Sequence, residues 1–323
     1  MTSAASAAPA PIPVSSAGPG RGSPAVFWAI VVTLVAWASA FVVIRAVAED
    51  FSGGGLALGR LAVGALALGV VMIGRRWVRP TRREWLLVIV FGLSWFSVYN
   101  VALNVAEQYL DAGTTAMLVN IGPLLIALGA GLFLGEGIPR WLAIGALVAF
   151  IGVVLIGIAT GSGFGDSRGV LWALAAALTY AIGVLCQKPV LRRLPAAQVT
   201  WLGCVIGAIG CLPFAGALVT ELQAAPLASV LGVVYLGVVP TAIAFSTWAY
   251  ALGRMPAGRL GVTTYVVPAL VVLAGALLLG EIPPLLAIIG GVTCLVGVGL
   301  SRRAASSGPS TPAVRRAGET LAE

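Results

Sequence analysis

Apolar residues in this chain fall in long blocks, with neither the alternation of a strand nor the narrow stripe of a soluble amphipathic helix. Ten such blocks lie near 26–47, 56–74, 85–104, 113–135, 141–159, 169–187, 197–219, 227–250, 260–280 and 284–301. As helices rising 1.5 Å per residue, blocks of about 20 residues cross the roughly 30 Å of hydrocarbon in a bilayer. The connection Gly137-Ile138-Pro139-Arg140 after the fourth block and Ile282-Pro283 after the ninth are short enough to force antiparallel hairpins. The expected fold is therefore an all-α integral membrane protein with ten transmembrane helices. Residues 1–25 and 304–323, rich in Ala, Ser, Pro and Gly, carry no apolar face and are expected to be disordered tails. A cleaved signal peptide is not expected, since the charged head is missing and the first block is long enough to span.

The pattern occurs twice. PLLIALGAGLFLGE at Pro123–Glu136 returns as PALVVLAGALLLGE at Pro268–Glu281, displaced by 145 positions, the difference between 268 and 123. The register holds outward, with Ala112-Gly113 on Ala257-Gly258, Ile144-Gly145 on Ile289-Gly290 and Gly152 on Gly297. Two five-helix repeats, 26–160 and 161–303, are the simplest reading.

Composition removes the soluble alternatives. With 59% hydrophobic and 9% charged residues and a mean hydropathy of +1.04, there is too little polar surface to cover a body of 323 residues in water. The net charge of +8 would suggest nucleic acid in a soluble domain. Here the cations sit between apolar blocks, which is a topology signal, and no nucleic-acid partner is expected. With the N-terminus cytoplasmic, 16 of the 19 Lys and Arg fall in inside segments, Arg45, Arg60 and Arg168 being the exceptions. Glu49, Asp50, Glu107, Asp111, Asp166, Glu221 and Glu281 collect in outside loops. Both termini are then cytoplasmic in the plasma membrane. Because five spans per repeat is an odd number, equivalent loops face opposite sides, and the two repeats are inverted. Inverted repeats are how secondary transporters build inward-open and outward-open states of similar energy.

Chemistry is excluded more than indicated. There is no histidine, and Cys186, Cys204, Cys211 and Cys294 lie in apolar blocks without CxxC spacing. No metal site, cofactor or catalytic residue is expected, and neither a nucleophile–base pair nor a GxxxxGK[ST] phosphate cradle is present. Any driving force must come from a gradient.

Four stretches carry a family resemblance: WASAFVVIRAV (37–47), GRLAVGALAL (59–68), the run 102–136 ending in PLLIALGAGLFLGE, and WAYALGRMPAGRLGVTTYVVPALVVLAGALLLGE (248–281). Together, over about 26–303, they resemble EamA-type members of the drug/metabolite transporter superfamily. The resemblance implies ten helices in two inverted five-helix bundles, a central cavity near the bilayer midplane, and export or exchange of small metabolites such as amino acids.

Polar residues inside apolar blocks are the candidates for a site, since each must find a partner or line water. Asn100 and Asn104, one turn apart beside Tyr99, either line a cavity or bond between helices. Asn120 precedes Pro123 by three residues and its mate Tyr265 precedes Pro268 by three; prolines that bend the helix free carbonyls there for a ligand. Arg60 either holds a substrate carboxylate or phosphate, or snorkels. Arg45 and its mate Lys188 are expected to snorkel to headgroups. Trp37, with its mate Tyr180 at an offset of 143, and Trp248 are aromatic candidates for packing or for substrate contact. Glu136 and Glu281 end their helices and are expected to cap the helices that follow. The expectation is a secondary transporter, exporting a small amphipathic metabolite by alternating access, with lipid flippase or non-transporting sensor as alternatives. Its partners would be that solute and the lipid bilayer, with a coupling proton or exchanged solute left open.

Overall fold

The computed structural model describes residues 24–133, 140–160, 167–255 and 257–301. Most of the two expected tails and the Gly135-Glu136 corner lie outside the described residues, so the capping expected of Glu136 has no counterpart here. The described residues are helical with turns between, and none forms a strand.

The first repeat comprises α1 (Pro24–Val47), α2 (Gly53–Met72), α3 (Arg82–Phe91), α4 (Tyr99–Tyr109), α5 (Ala112–Val119), α6 (Gly122–Phe133) and α7 (Arg140–Thr160). The second comprises α8 (Arg168–Val190), α9 (Ala196–Gly210), α10 (Ala215–Ala224), α11 (Leu227–Leu236), α12 (Ala244–Arg254), α13 (Ala257–Thr263), α14 (Val266–Leu278) and α15 (Leu285–Ser301). The start of α1 at Pro24 places the last two residues of the expected tail in a helix. Among the described residues, five helices are long and apolar enough to cross a membrane: α1, α2, Arg82–Tyr109, α8 and Leu227–Arg254. A sixth follows if α9 and the bent segment to Ala224 form one span, with four shorter apolar helices besides. The outward faces expose Leu66, Val70, Phe150, Leu277 and Leu285, an apolar belt that suits lipid and not water.

The repeat seen in the sequence is a repeat of elements. Arg82–Tyr109 and Leu227–Arg254 are both offset by 145, and each is interrupted by a seven-residue π-helical turn, at Gly92–Val98 and Gly237–Ile243, again 145 apart. In the first, the Tyr99 amide reaches five residues back to Ser94 O. The packing has two-fold character: α7 lies against α15, α2 against α9, α4 against α8 and α1 against α12. At the α7–α15 seam the glycines shared by the repeats bring backbones together, for a Cβ on Gly152 would stand 2.5 Å from Gly290 O and one on Gly290 2.7 Å from Gly152 O. Small residues at a membrane helix contact allow this approach.

Three blocks expected as single helices are broken. The fourth stops at Asn120 and restarts as α6, with Pro123 in its first turn, where a missing N–H costs nothing. A short i→i+3 bond from the Ile121 amide to Leu118 O closes the gap. The ninth does the same at Thr264-Tyr265, with Pro268 in the first turn of α14 and the Val267 amide bonded to Thr264 O. The seventh bends by 51° at Cys211–Phe214, around Pro213.

Local signals account for several starts. Thr81 and Glu84 form a capping box at α3, and Asp111 caps α5 by accepting from the Thr114 amide at 2.8 Å. Arg193, in the turn after α8, donates to Glu84 from Nε at 2.8 Å and so ties the second repeat to the first.

Candidate functional site

The breaks in the fourth and ninth blocks and the first π turn meet at one place, which the second π turn reaches through a bond from Arg60 to Thr241. A cavity of about 40 Å³ lies there between the repeats. Its walls are Trp37, Ala40 and Phe41 of α1, Arg60 of α2, Trp95 of the first π turn, Tyr99 and Leu103 of α4, and Val119 and Asn120 at the first break. Tyr180 of α8, Phe245 of α12, Thr264 at the second break and Val267 of α14 complete them.

Arg60 is the charged wall residue. It is 3% exposed, so it does not snorkel. Its Nε donates to Thr241 Oγ1 at 3.2 Å, and that hydroxyl donates to Leu236 O at 2.7 Å, within the second π turn. The π turn of one repeat thereby orients the arginine of the other. Nη1 is buried and has no hydrogen-bond partner among the described residues. A buried guanidinium nitrogen without an acceptor is costly, and a carboxylate or a phosphate is the acceptor its geometry fits.

The two breaks meet directly: Thr264 Oγ1 donates to Asn120 Oδ1 at 3.2 Å, while Asn120 Nδ2 returns to Ala116 O at 3.3 Å. Around them stands an aromatic box. Trp37 lies 6.2 Å from Trp95 and 5.6 Å from Phe245, and Trp95 lies 5.0 Å from both Tyr180 and Phe245, ring centroid to centroid. These tilted and edge-on pairs hold the walls in place.

Of the eight candidate binding residues, Trp37, Arg60, Tyr99 and Asn120 line this cavity. The other four do not. Asn100 turns back on its own helix, donating from Nδ2 to Phe96 O at 2.7 Å and Trp95 O at 3.3 Å, where the π turn frees carbonyls. Asn104 donates to Gly53 O at 3.0 Å and joins α4 to the start of α2. Trp248 is buried behind the wall, 4.9 Å from Trp37. Tyr265 packs toward the cluster around Leu118, Ile121 and Leu124.

The terminal charges also differ from expectation. Glu281 does not reach the following helix; its Oε1 accepts from Arg45 Nε at 2.7 Å, across the two repeats. Arg45 accordingly does not snorkel freely, and its Nη1 also donates to Glu107 O at 3.0 Å. Its mate Lys188 makes one equivalent bond, to Leu252 O, and a different second one, to Met255 O at 2.9 Å. Glu107, expected in an outside loop, lies within α4 and is wholly buried, because the helix runs on to Tyr109. Trp95 and Phe245 of the wall, and the burial of Glu107 outside it, are absent from the sequence reading. A tryptophan or phenylalanine inside an apolar block gives no contrast, whereas Glu107 is flagged by its place within helix reach of Asn104.

A helical membrane protein made of two like halves, with a buried cation and an aromatic box at their junction, has the construction of a membrane transporter. The EamA-like transporter family model matches this chain twice, over residues 23–158 and 167–303. The chain belongs to that family. A probable terminal-alkyne amino-acid exporter of Streptantibioticus cattleyicolor is 35% identical over 279 residues, 85% of this chain and 93% of the relative. An uncharacterized transporter of Bacillus subtilis is 33% identical, over 81% of this chain and 86% of its own length. A probable amino-acid metabolite efflux pump of Salmonella typhimurium is 28% identical over 54% of this chain and 61% of its own. A crystal structure with 22% sequence identity superposes with a TM-score of 0.61 over 87% of this chain and 99% of that one, which speaks for the fold.

Proposed function

We propose that the protein is a secondary transporter of the plasma membrane that exports small metabolites bearing an amino-acid headgroup. Ten spans in two inverted repeats, with both termini cytoplasmic, are the arrangement that agrees with the lysine and arginine placement. The observation that carries the substrate class is Arg60: a buried guanidinium with Nη1 unoccupied, on the wall of the cavity between the repeats. A substrate carboxylate supplies the acceptor, and the box of Trp37, Trp95, Tyr99 and Tyr180 takes an apolar side chain and the ammonium over ring faces. The names of the relatives from Streptantibioticus and Salmonella agree with this class.

A cavity of about 40 Å³ holds about three or four waters, at about 10–15 Å³ each. An amino acid enters only when the halves part, so rocking of one repeat against the other about the Asn120–Thr264 contact supplies alternating access. The flippase alternative would be favoured by a lateral groove lined with arginine. The groove found on α2 and α9 is lined by Ala62, Ala65, Leu66, Gly69, Val70, Ile73, Trp201 and Val205, which contains no cation.

The test is counterflow in proteoliposomes with L-propargylglycine, a terminal-alkyne amino acid, beside a panel of ordinary L-amino acids. But-3-ynylamine, which lacks the carboxylate, serves as the discriminating control. Exchange of at least one amino acid but not of the amine is expected. No exchange across the panel, or equal exchange of the amine, would sink the proposal.

A further inference from the structure

Glu107 has no role in the cavity, yet among the described residues it is the most deeply buried acid. It is 0% exposed, and neither carboxyl oxygen has a hydrogen-bond partner among the described residues. An ionised carboxylate without a donor does not persist under such burial; the group takes up a proton or finds a cation. The cation at hand is already engaged. Arg45 gives Nη1 to the backbone oxygen of Glu107 and Nε to Glu281, whose second carboxylate oxygen is itself buried and unpartnered among the described residues. The groups that act on Glu107 electrostatically are Arg45 from α1, Arg60 from α2, Asp111 at the start of α5, Tyr99 on its own helix, and Glu281. Two acids thus compete for one arginine at the contact between repeats.

The second repeat lacks this competition. The position equivalent to Glu107 is Leu252, while the mate of Arg45, Lys188, keeps the bond to the same backbone carbonyl. The carbonyl bond is common to both halves and serves the fold, so the acid is an addition to one of them. We propose that Glu107 is a proton-binding site coupling proton movement to transport: as the neutral acid it permits the Arg45–Glu281 contact, and once ionised it draws Arg45 off Glu281 and parts the halves. In each cycle the Glu107 O–H gives its proton to water reached from the cytoplasmic side while the contact is closed, and the carboxylate takes one from the outer side once the contact has opened, so one proton enters for each solute exported. Placing the site in one half alone gives the two gates different responses to pH. The inference rests on the transporter reading above.

The experiment uses the full chain in proteoliposomes, with L-propargylglycine as probe, and compares wild type with Glu107→Gln. Efflux from loaded liposomes into acidic buffer is expected to exceed efflux at equal pH several-fold in the wild type. E107Q is expected to lose that dependence while keeping counterflow. Infrared difference spectra between acidic and alkaline pH are expected to show a carboxylic-acid carbonyl band in the wild type that E107Q lacks. A wild type indifferent to the gradient, an E107Q that still responds to it, or a band unchanged by the substitution overturns the inference and leaves the transporter reading intact. No counterflow in the wild type overturns both. Should E107Q fail to fold, Glu107→Asp takes its place: a carbonyl band and a pH dependence both displaced from those of the wild type are expected, and values identical to the wild type overturn the inference.

Discussion

Replacing Gly152 with alanine should loosen the seam between α7 and α15. The new Cβ would stand 2.5 Å from Gly290 O and 2.6 Å from Cys294 N, where ordinary contact begins at 3.4 Å. The helices must part locally by about 0.9 Å, the difference between 3.4 and 2.5 Å, since backbone atoms have no rotamer to turn away into. Overpacking of this kind costs about 3 kcal/mol at the upper end of its range. Alanine regains about 1 kcal/mol of helix propensity over glycine, leaving a net loss of about 2 kcal/mol. At roughly 2–4 °C per kcal/mol for a chain of this order of size, the midpoint falls by about 4–8 °C. Thermal denaturation of the detergent-solubilised protein, followed by tryptophan fluorescence, measures it. Gly253→Ala is the paired control: that glycine is exposed on α12 with nothing within 4 Å of its added Cβ, so its midpoint should hold or rise. If G152A melts no lower than wild type, or if both variants shift alike, the seam is not packed as described.

Other expectations follow from single contacts. Arg60→Gln removes the charge offered to a carboxylate and should lower the specificity constant for an exchanged amino acid by about ten- to a hundredfold, from a charged hydrogen bond worth about 1.5–3 kcal/mol; Arg60→Lys recovers only part of this, and proteoliposome kinetics report it. Asn104→Leu loses the bond to Gly53 O and should cost about 1 kcal/mol of stability while leaving the substrate profile unchanged, seen in a lowered midpoint beside normal counterflow. Asp111→Ala removes the cap on the Thr114 amide and hydroxyl and should cost about 1 kcal/mol, measured by the same melt.

What the sequence made legible was whatever depends on contrast or on repetition. The apolar blocks announced membrane helices, the 145-residue register announced two repeats, and Pro123 and Pro268 marked where helices α5–α6 and α13–α14 break. Arg60 stood out because a cation in an apolar block is conspicuous, but only the fold separates a buried arginine from one that snorkels. Asn100 and Asn104 share spacing and chemistry, and their different partners, a π turn and a neighbouring helix, depend on tertiary contacts that helical periodicity does not report. Glu107 was lost because it and Asp111, four residues on, read as one outside loop, although the helix continues past Glu107 to Tyr109. The π turns were invisible because one additional residue in a run of apolar side chains changes no local pattern.

Those turns belong to the repeat and not to either half's surroundings. A π turn holds one residue more than the surrounding helix needs, and it sits at Gly92–Val98 and Gly237–Ile243 in the same register. The neighbours of the two turns differ, for one half holds Arg60 and the other the Thr241 that steers it. A widened turn shared by both halves is therefore a fixed part of the scaffold, on which each half hangs its own polar group.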